Sequence, residues 1–339
     1  MGEFLSPRGT RFVSGLAVGR AWWRPGARLT SSFIALFCLG VGGCAERYAG
    51  DMSAGKPGSG ASRGSAAASH AHGGVTEEVA RLDKEGKALL RQGKYADAEP
   101  VYRRICELVP QNARYRSLFG AVLSEQGKYS EAEPFEREAV RLDSTNPRFL
   151  HSLGFILMQL GKLDEAEQYF RQLIKLQGGS ASYNEVFGKF LEQRDKFGEA
   201  EQYFRRAAQL DSSSPVYCDD LADLLLCEGK AAEAEQWGRK AVLLGGDAAG
   251  YDGDLGMVLL VRQKYADAEH YLRKAVAMDS TSAKYAENLA VELDEQHKYP
   301  EAEHYARIAA GLDSSNPDYQ DELRDLAKHL PAKGRRGRQ

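Results

Sequence analysis

The stretch Gly93-Lys94-Tyr95-Ala96-Asp97-Ala98-Glu99 decides the fold, because related heptapeptides recur six more times along the chain. The later copies follow at steps of 34 residues, beginning at Gly127, Gly161, Asp195, Gly229, Gln263 and His297. A constant step without insertions indicates one rigid structural unit that is repeated. Self-similarity at this period is typical of stacked helix–turn–helix arrays.

Three positions carry the same kind of side chain in every unit. We number each unit so that the heptapeptide begins at position 15, which gives the units 79–112, 113–146, 147–180, 181–214, 215–248, 249–282 and 283–316. Position 8 is always small: Gly86, Gly120, Gly154, Gly188, Ala222, Gly256 and Ala290. Position 11 is always leucine: Leu89, Leu123, Leu157, Leu191, Leu225, Leu259 and Leu293. Position 20 is always alanine: Ala98, Ala132, Ala166, Ala200, Ala234, Ala268 and Ala302.

This small, large and small pattern resembles the tetratricopeptide repeat (TPR) family over about residues 79–330. The resemblance implies an all-α, right-handed α-solenoid of seven units, each with helices at roughly positions 2–14 and 18–31. A capping helix over 317–330 is expected to follow. The chain departs from the family pattern because position 4 never holds tryptophan and only Pro110 keeps the proline near the end of a unit.

The repeat also predicts which residues pack and which residues pair. Positions 7, 8 and 11 of the first helix and 20, 27 and 30 of the second form apolar stripes with helical spacing. We expect position 8 to face the alanine at position 20. Every unit has glutamate at position 21 and arginine at position 25: Glu99–Arg103, Glu133–Arg137, Glu167–Arg171, Glu201–Arg205, Glu235–Arg239, Glu269–Arg273 and Glu303–Arg307. We interpret them as solvated ion pairs that stabilise the helix by about 0.2–0.5 kcal/mol each. A partner-binding stripe is the alternative.

Composition and motifs argue against several classes of function. The net charge of -3 is unlike that of a nucleic-acid binder, which carries a basic excess. Cys-x-x-Cys, phosphate-loop and His-Glu-x-x-His motifs do not occur in the sequence. We interpret His270, His297 and His304 as ordinary surface histidines. No catalytic residue, metal or cofactor is therefore predicted, and the chain is not expected to be an enzyme.

The N-terminal region resembles a bacterial lipoprotein leader. Residues 1–43 combine five arginines with a short apolar run, which is typical of an export signal. Val41-Gly42-Gly43-Cys44 resembles a lipobox, and this resemblance implies acylation of Cys44. In such signals, alanine after the cysteine, here Ala45, implies location at the outer rather than the inner membrane of the cell envelope. An uncleaved anchor and a wrongly assigned leader are the alternatives. Residues 44–78 are predicted to form a flexible Gly/Ala/Ser tether, and 331–339 a disordered basic tail.

The family resemblance also implies a binding surface, because positions 2, 5, 9 and 12 of TPR first helices line a concave groove. Units one to three are expected to form a mildly basic end with an apolar floor: Lys87, Arg114, Arg148, His151, Phe155 and Met158. Units four to seven are expected to form an acidic end relieved by two lysines: Glu185, Lys189, Glu192, Asp219, Asp223, Met257, Lys284, Glu287 and Asp294, with Asp220 and Asp254 nearby. Such a charge gradient would orient a partner segment.

We therefore expect a protein–protein interaction scaffold or adaptor that holds a partner segment in the groove during envelope assembly. No nucleic acid is expected as a partner, whereas the membrane is expected through Cys44. The alternative is a soluble or inner-membrane-anchored adaptor in cytoplasmic signalling. A hydrolase or glycan-processing enzyme is the remote alternative.

Overall fold

The computed structural model describes residues 66–329, with side chains from Gly74 onward. Within this range every regular element is a helix, and none is both long and apolar enough to cross a membrane. The leader over 1–43, Cys44 and the tail over 331–339 lie outside the described residues. The helices are α1 (Ala66–Arg91), α2 (Tyr95–Leu108), α3 (Ala113–Glu125), α4 (Tyr129–Leu142), α5 (Pro147–Gln159), α6 (Leu163–Gln177), α7 (Ala181–Gln193), α8 (Phe197–Leu210), α9 (Pro215–Cys227), α10 (Ala231–Gly245), α11 (Ala249–Val261), α12 (Tyr265–Met278), α13 (Ala283–Glu295), α14 (Tyr299–Leu312) and α15 (Pro317–His329).

The described chain divides after Gly178 into two compact units. We call 66–178 the N-terminal array and 179–329 the C-terminal array. In both arrays, each odd-numbered helix packs most extensively against the even-numbered helix that follows it, and each hairpin then packs against the next. Each array is thus an α-solenoid of helical repeats, which confirms the predicted fold class.

The first helix starts earlier than the sequence pattern predicts. We expected a tether up to residue 78, whereas α1 begins at Ala66. The tether prediction is therefore wrong for residues 66–78. Ala66, Ala67 and Ala68 favour a helix because alanine has the highest helix propensity, and Val79 and Leu82 of the same helix are buried.

A single turn geometry connects the two helices of every hairpin. Position 15 has a left-handed backbone in all seven units: φ is 68° at Gly93 and 58–61° at Asp195, Gln263 and His297. The backbone N–H of position 16 donates to the carbonyl of the leucine at position 11, as Lys94 does to Leu89 at 3.0 Å. This bond is that of a Schellman motif, which ends a helix and reverses the chain. The constant turn explains why the 34-residue step never slips.

The small residue at position 8 faces position 24 and not position 20, so our expectation for this contact was wrong. A Cβ atom on Gly154 would lie 3.0 Å from the Phe170 ring, and one on Gly256 would lie 2.6 Å from Cγ of Leu272. Where position 8 is alanine, position 24 is small instead: Ala222 goes with Gly238, and Ala290 with Ala306. The two positions compensate in volume because close-packed helices leave no free space.

The predicted Glu–Arg pairs form in all seven units, and they extend to the next unit. Glu99 binds Arg103 at 2.8 Å in its own helix and Lys128 of the next hairpin turn at 2.7 Å. The hydrogen bond from Lys128 lowers the pKa of Glu99 to about 2. The same link to the lysine at position 16 joins Glu133 to Lys162, Glu201 to Lys230, Glu235 to Lys264 and Glu269 to Lys298. We call this set of bonds the charge ladder.

The contact at position 8 predicts opposite effects for two glycine-to-alanine substitutions in the C-terminal array. In Gly256→Ala the new methyl group would overpack against Leu272, so the free energy of unfolding should fall by about 1–2 kcal/mol. In the control, Gly198→Ala, the methyl group meets open space within helix α8. Its stability should rise by about 0.5–1 kcal/mol. Equal stabilisation of both variants in urea unfolding would contradict this packing.

Candidate functional site

The first helices of the C-terminal array carry a column of carboxylates on one face. Helix α9 contacts α11, and α11 contacts α13, so residues at equivalent positions of successive units become neighbours. We call this column the acidic face. It consists of Glu185, Glu192, Asp219, Asp220, Asp223, Asp254, Glu287 and Glu322. The predicted acidic residues of units four to seven are thus largely brought together.

Three of these carboxylates meet between α9 and α11. Asp219, Asp223 and Asp254 each place one oxygen within 4.8 Å of the other two. A single lysine, Lys284, reaches this trio and binds Asp254 at 2.8 Å. Three oxygen ligands at this spacing are of the kind that Ca²⁺ or Mg²⁺ prefers, and they equally suit an ammonium or guanidinium group.

Close packing of like charges raises the affinity of the trio for protons. Burial, together with the charges of Asp254 and Asp220, raises the pKa of Asp219 to about 8. For Asp223 burial is again the largest cause of a raised pKa. Asp223 is nevertheless exposed to solvent, so the repulsion from Asp254 and Asp219 is the cause that persists in water. The trio therefore binds a proton more readily than isolated aspartates do.

At the other end of the column, the second lysine of the acidic face, Lys189, forms two ion pairs. Lys189 binds Glu185 of its own helix at 2.6 Å and Asp220 of α9 at 3.1 Å. Burial opposes the charge of Lys189, but Asp220 and Glu185 outweigh it and raise its pKa. Nearby, burial and the charge of Asp220 raise the pKa of Glu192 to about 7. This end is thus closer to electrical balance than the trio.

Glu287 forms a second acidic centre, with helix α15. Its residue is only 8% exposed, and its Oε2 atom accepts no hydrogen bond. Burial, followed by the charges of Glu322 and Asp318, raises its pKa to about 8. The sequence analysis did not assign Glu322 to the binding surface. Continuing the 34-residue step from Asn288 reaches Glu322, so the repeat register itself could have identified it.

Met257 and Asp294 lie at the edges of this surface. Met257 is half-buried and packs against the cluster of Leu255, Leu259, Leu260 and Ala268. Asp294 is half-buried beside His329 and His297. Burial is the largest cause of its raised pKa, whereas the two histidines act to lower that pKa. Both residues are therefore adjacent to the acidic face without belonging to the two acidic centres.

In the N-terminal array the predicted basic surface is less charged than expected. Lys87 binds Asp83 at 2.8 Å, and Arg114 lies 3.7 Å from the same carboxylate. His151 is buried against the Phe170 ring, and burial lowers its pKa to about 4, so it is neutral at pH 7.

The apolar floor expected in unit three is also inaccessible. Phe155 and Met158 are among nine buried residues of α5. The expectation that His151, Phe155 and Met158 offer an open surface is therefore wrong, because α5 is covered around most of its circumference. Arg148 is half-buried near the start of α5, and its backbone N–H donates to the Asn146 side chain at 3.1 Å.

The N-terminal array has a separate cleft that the sequence did not reveal. Its volume is about 360 Å³, and Arg103 and Arg116 lie over the rings of Phe119 and Phe135 at 5.2 and 5.8 Å. Cys106 lines the cleft and donates a hydrogen bond to the carbonyl of Tyr115 at 3.3 Å. These contacts satisfy the side chains locally, so the acidic face remains the better candidate site.

Replacing Asp219 by asparagine should stabilise the protein, and more so at pH 8 than at pH 5. An unfolded aspartate has a pKa of about 3.9, whereas that of Asp219 is raised to about 8. Between these values the folded state binds more protons than the unfolded state, so stability falls as pH rises. Asp219→Asn removes this cost, and Tm at pH 8 should rise by about 2–4 °C, as about 1 kcal/mol does in a domain of this size.

The matched control is Asp97→Asn, which removes one exposed negative charge from the N-terminal array. Its Tm change should be small and similar at both pH values. A fall in Tm for Asp219→Asn at pH 8 would contradict the repulsion inferred for the trio. An equal gain at pH 5 and pH 8 would contradict it as well.

Comparisons with known proteins agree with this architecture. Two family models described as tetratricopeptide repeat match the chain, one at residues 84–147 and 254–319 and the other at 123–186. No curated protein matches the chain.

Several solved structures share the fold. A tetratricopeptide repeat protein from Parabacteroides merdae is 16% identical, with a TM-score of 0.59 over 74% of this chain and 99% of that chain. PilW, a type IV pilus biogenesis factor, is 18% identical, with a TM-score of 0.55 over 63% and 98%. A chain of the APC/C hetero-tetramer Cut9-Hcn1 is 14% identical, with a TM-score of 0.56 over 74% of this chain; the present chain spans about half of its length, 52%.

The helical hairpins, the constant register and the matching family models lead to one assignment. The chain belongs to the tetratricopeptide repeat family.

Proposed function

We propose that this protein is an assembly scaffold that holds a segment of a partner protein in a groove lined by its first helices. TPR proteins bind other proteins or peptides, and the fold supports a protein–protein interaction scaffold. The observation that carries the proposal is the acidic face. Its two centres, around Asp219 and Glu287, each bring several acidic side chains together. A solvated face selected only for solubility would not require such concentrated like charges.

Tetratricopeptide repeats are generally non-catalytic, and the site favours binding over catalysis. Histidines are the usual general bases at neutral pH. Among the described residues, His151 is buried within α5, and His297 shares a hydrogen bond with Tyr299. We therefore favour a binding role over the hydrolase or glycan-processing alternative.

We further propose that the scaffold acts in a bacterial cell envelope, anchored at the outer membrane by acylated Cys44. The leader-like sequence over 1–43 supports this location. Similarity to PilW, a type IV pilus biogenesis factor, shows a shared fold and makes envelope assembly a reasonable setting. The alternative is a soluble or inner-membrane-anchored adaptor in cytoplasmic signalling, which the same binding face would also serve.

The groove is tested by reversing charge on the acidic face. The double variant Asp219→Lys and Asp223→Lys should lose capture of the partner, because it replaces two attractive charges with two repulsive ones. The matched control, Asp97→Lys and Glu131→Lys, changes charge equally on exposed residues of the N-terminal array. Pull-down from crosslinked cells, quantified by mass spectrometry, should show at least a tenfold (~1.4 kcal/mol) loss for the first variant alone. Undiminished capture would contradict the proposal.

The location is tested by Cys44→Ala. Stable membrane attachment needs about two acyl chains, so this variant should leave the membrane fraction and lose incorporation of a labelled fatty acid. Cys38→Ala changes another cysteine of the leader and serves as the control, with no expected loss. Unchanged fractionation and labelling of Cys44→Ala would contradict the lipid anchor.

A further inference from the structure

The acidic face carries more negative charge than its own cations neutralise. Its two lysines are already bound: Lys189 to Glu185 and Asp220, and Lys284 to Asp254. Within residues 74–329 no side chain donates a hydrogen bond or forms an ion pair with four of the carboxylates: Asp219, Asp223, Glu287 and Glu322. These four carboxylates lie on α9, α13 and α15.

Glu287 is a second, independent observation that points to a ligand at this face. Its residue is more than nine-tenths buried, and its Oε2 atom has no hydrogen-bond donor. The charges of Glu322 and Asp318 repel it. Burying an unpaired carboxylate is costly, and folded proteins retain one mainly where a partner or function requires it. A positively charged group beside Glu287 would favour its ionised form.

The spacing of the two centres distinguishes a peptide from a single ion. Packed helices lie about 8–10 Å apart, so the trio on α9 and α11 and the Glu287 centre on α13 and α15 are too far apart for one ion. An extended chain advances about 3.3 Å per residue, and every second side chain faces the same way. A segment of a few residues could therefore place one cationic side chain in each centre.

The surroundings also suit long cationic side chains. Met257 and Val291 occupy position 9 of units six and seven and are half-buried, on the same helices as Asp254 and Glu287. Lysine and arginine have aliphatic stems that pack on apolar residues while their charged ends reach a carboxylate. Arginine can also bind a carboxylate through two parallel hydrogen bonds.

Building on the proposed function, we propose that the acidic face binds an extended segment of a partner protein that is rich in arginine or lysine. One cationic side chain of the segment enters the trio of Asp219, Asp223 and Asp254. A second cationic side chain enters between Glu287 and Glu322. The acidic face is thus specific for positively charged segments, which adds partner chemistry to the scaffold role.

The first test separates this specificity from binding in general. The full chain is immobilised and used to select peptides from an unbiased displayed library. Enrichment of peptides with spaced arginines or lysines supports the proposal. Enrichment of acidic or purely apolar peptides would overturn it while leaving the scaffold function intact. No enrichment above an empty support would count against both.

The second test measures affinity directly by fluorescence anisotropy of a labelled peptide in which arginine alternates with alanine. The same peptide with glutamine in place of arginine should bind at least about tenfold more weakly, a difference of about 1.4 kcal/mol. Affinity for the arginine peptide should also fall steeply with added salt, because exposed charges are screened. Equal affinity for the two peptides would overturn the proposal.

Matched variants locate the binding on the acidic face. Asp223→Asn combined with Glu287→Gln preserves side-chain shape and should weaken arginine-peptide binding by about tenfold or more. Asp97→Asn combined with Glu131→Gln removes equal charge elsewhere and should leave affinity unchanged. Circular dichroism checks that both proteins remain helical. Equal losses in the two variants would show that only net charge matters, and would overturn the assignment to this face.

Two further outcomes would assign the face to another occupant. The chain's own basic tail carries Lys333, Arg335, Arg336 and Arg338. If the peptide bound only after these four were changed to serine, the tail and not a partner would be the ligand. If calcium chloride alone bound in calorimetry and the peptide did not, the carboxylates would form a metal site.

Discussion

The constant 34-residue step places equivalent residues of successive units next to one another, and both main features of the surface depend on this register. On the second helices, glutamate at position 21 meets the lysine at position 16 of the next unit, as in Glu99 with Lys128. On the first helices of the C-terminal array, the same register brings aspartate next to aspartate, as in Asp219 with Asp254. The first arrangement pairs opposite charges, whereas the second places like charges together.

The charge ladder and the acidic face contribute differently to stability. Individual exposed ion pairs are worth about 0–1 kcal/mol, so each bond of the charge ladder contributes little to stability. Buried positions such as Leu153 and Leu225 provide the core. The acidic face lowers stability at neutral pH because its carboxylates repel one another. This local conflict stands within an otherwise consistent repeat.

Much of this architecture could be predicted from the sequence because periodicity is a strong signal. The hairpin boundaries, the leucine at position 11 and the Glu–Arg pairs follow directly from the step and from helical spacing. The contact of position 8 was misassigned because periodicity shows which face of a helix is buried but not which facing residue it meets; Gly256 meets Leu272 at position 24. The burial of His151 was missed because it depends on how completely α5 is covered, which periodicity alone does not reveal. The electrostatic effect of Glu322 on Glu287 was missed because the repeat pattern was not continued into the capping helix.

The most direct test of the register and its consequences is a residue-specific titration of the full chain by NMR, with carbon-13 labels in its aspartate and glutamate side chains. We expect the Glu99 carboxylate, bound to Lys128, to remain ionised down to about pH 2. We expect the Asp219 carboxyl, beside Asp254 and Asp220, to hold its proton up to about pH 8. Titration of both groups near pH 4, the ordinary range for exposed carboxyls, would contradict the account.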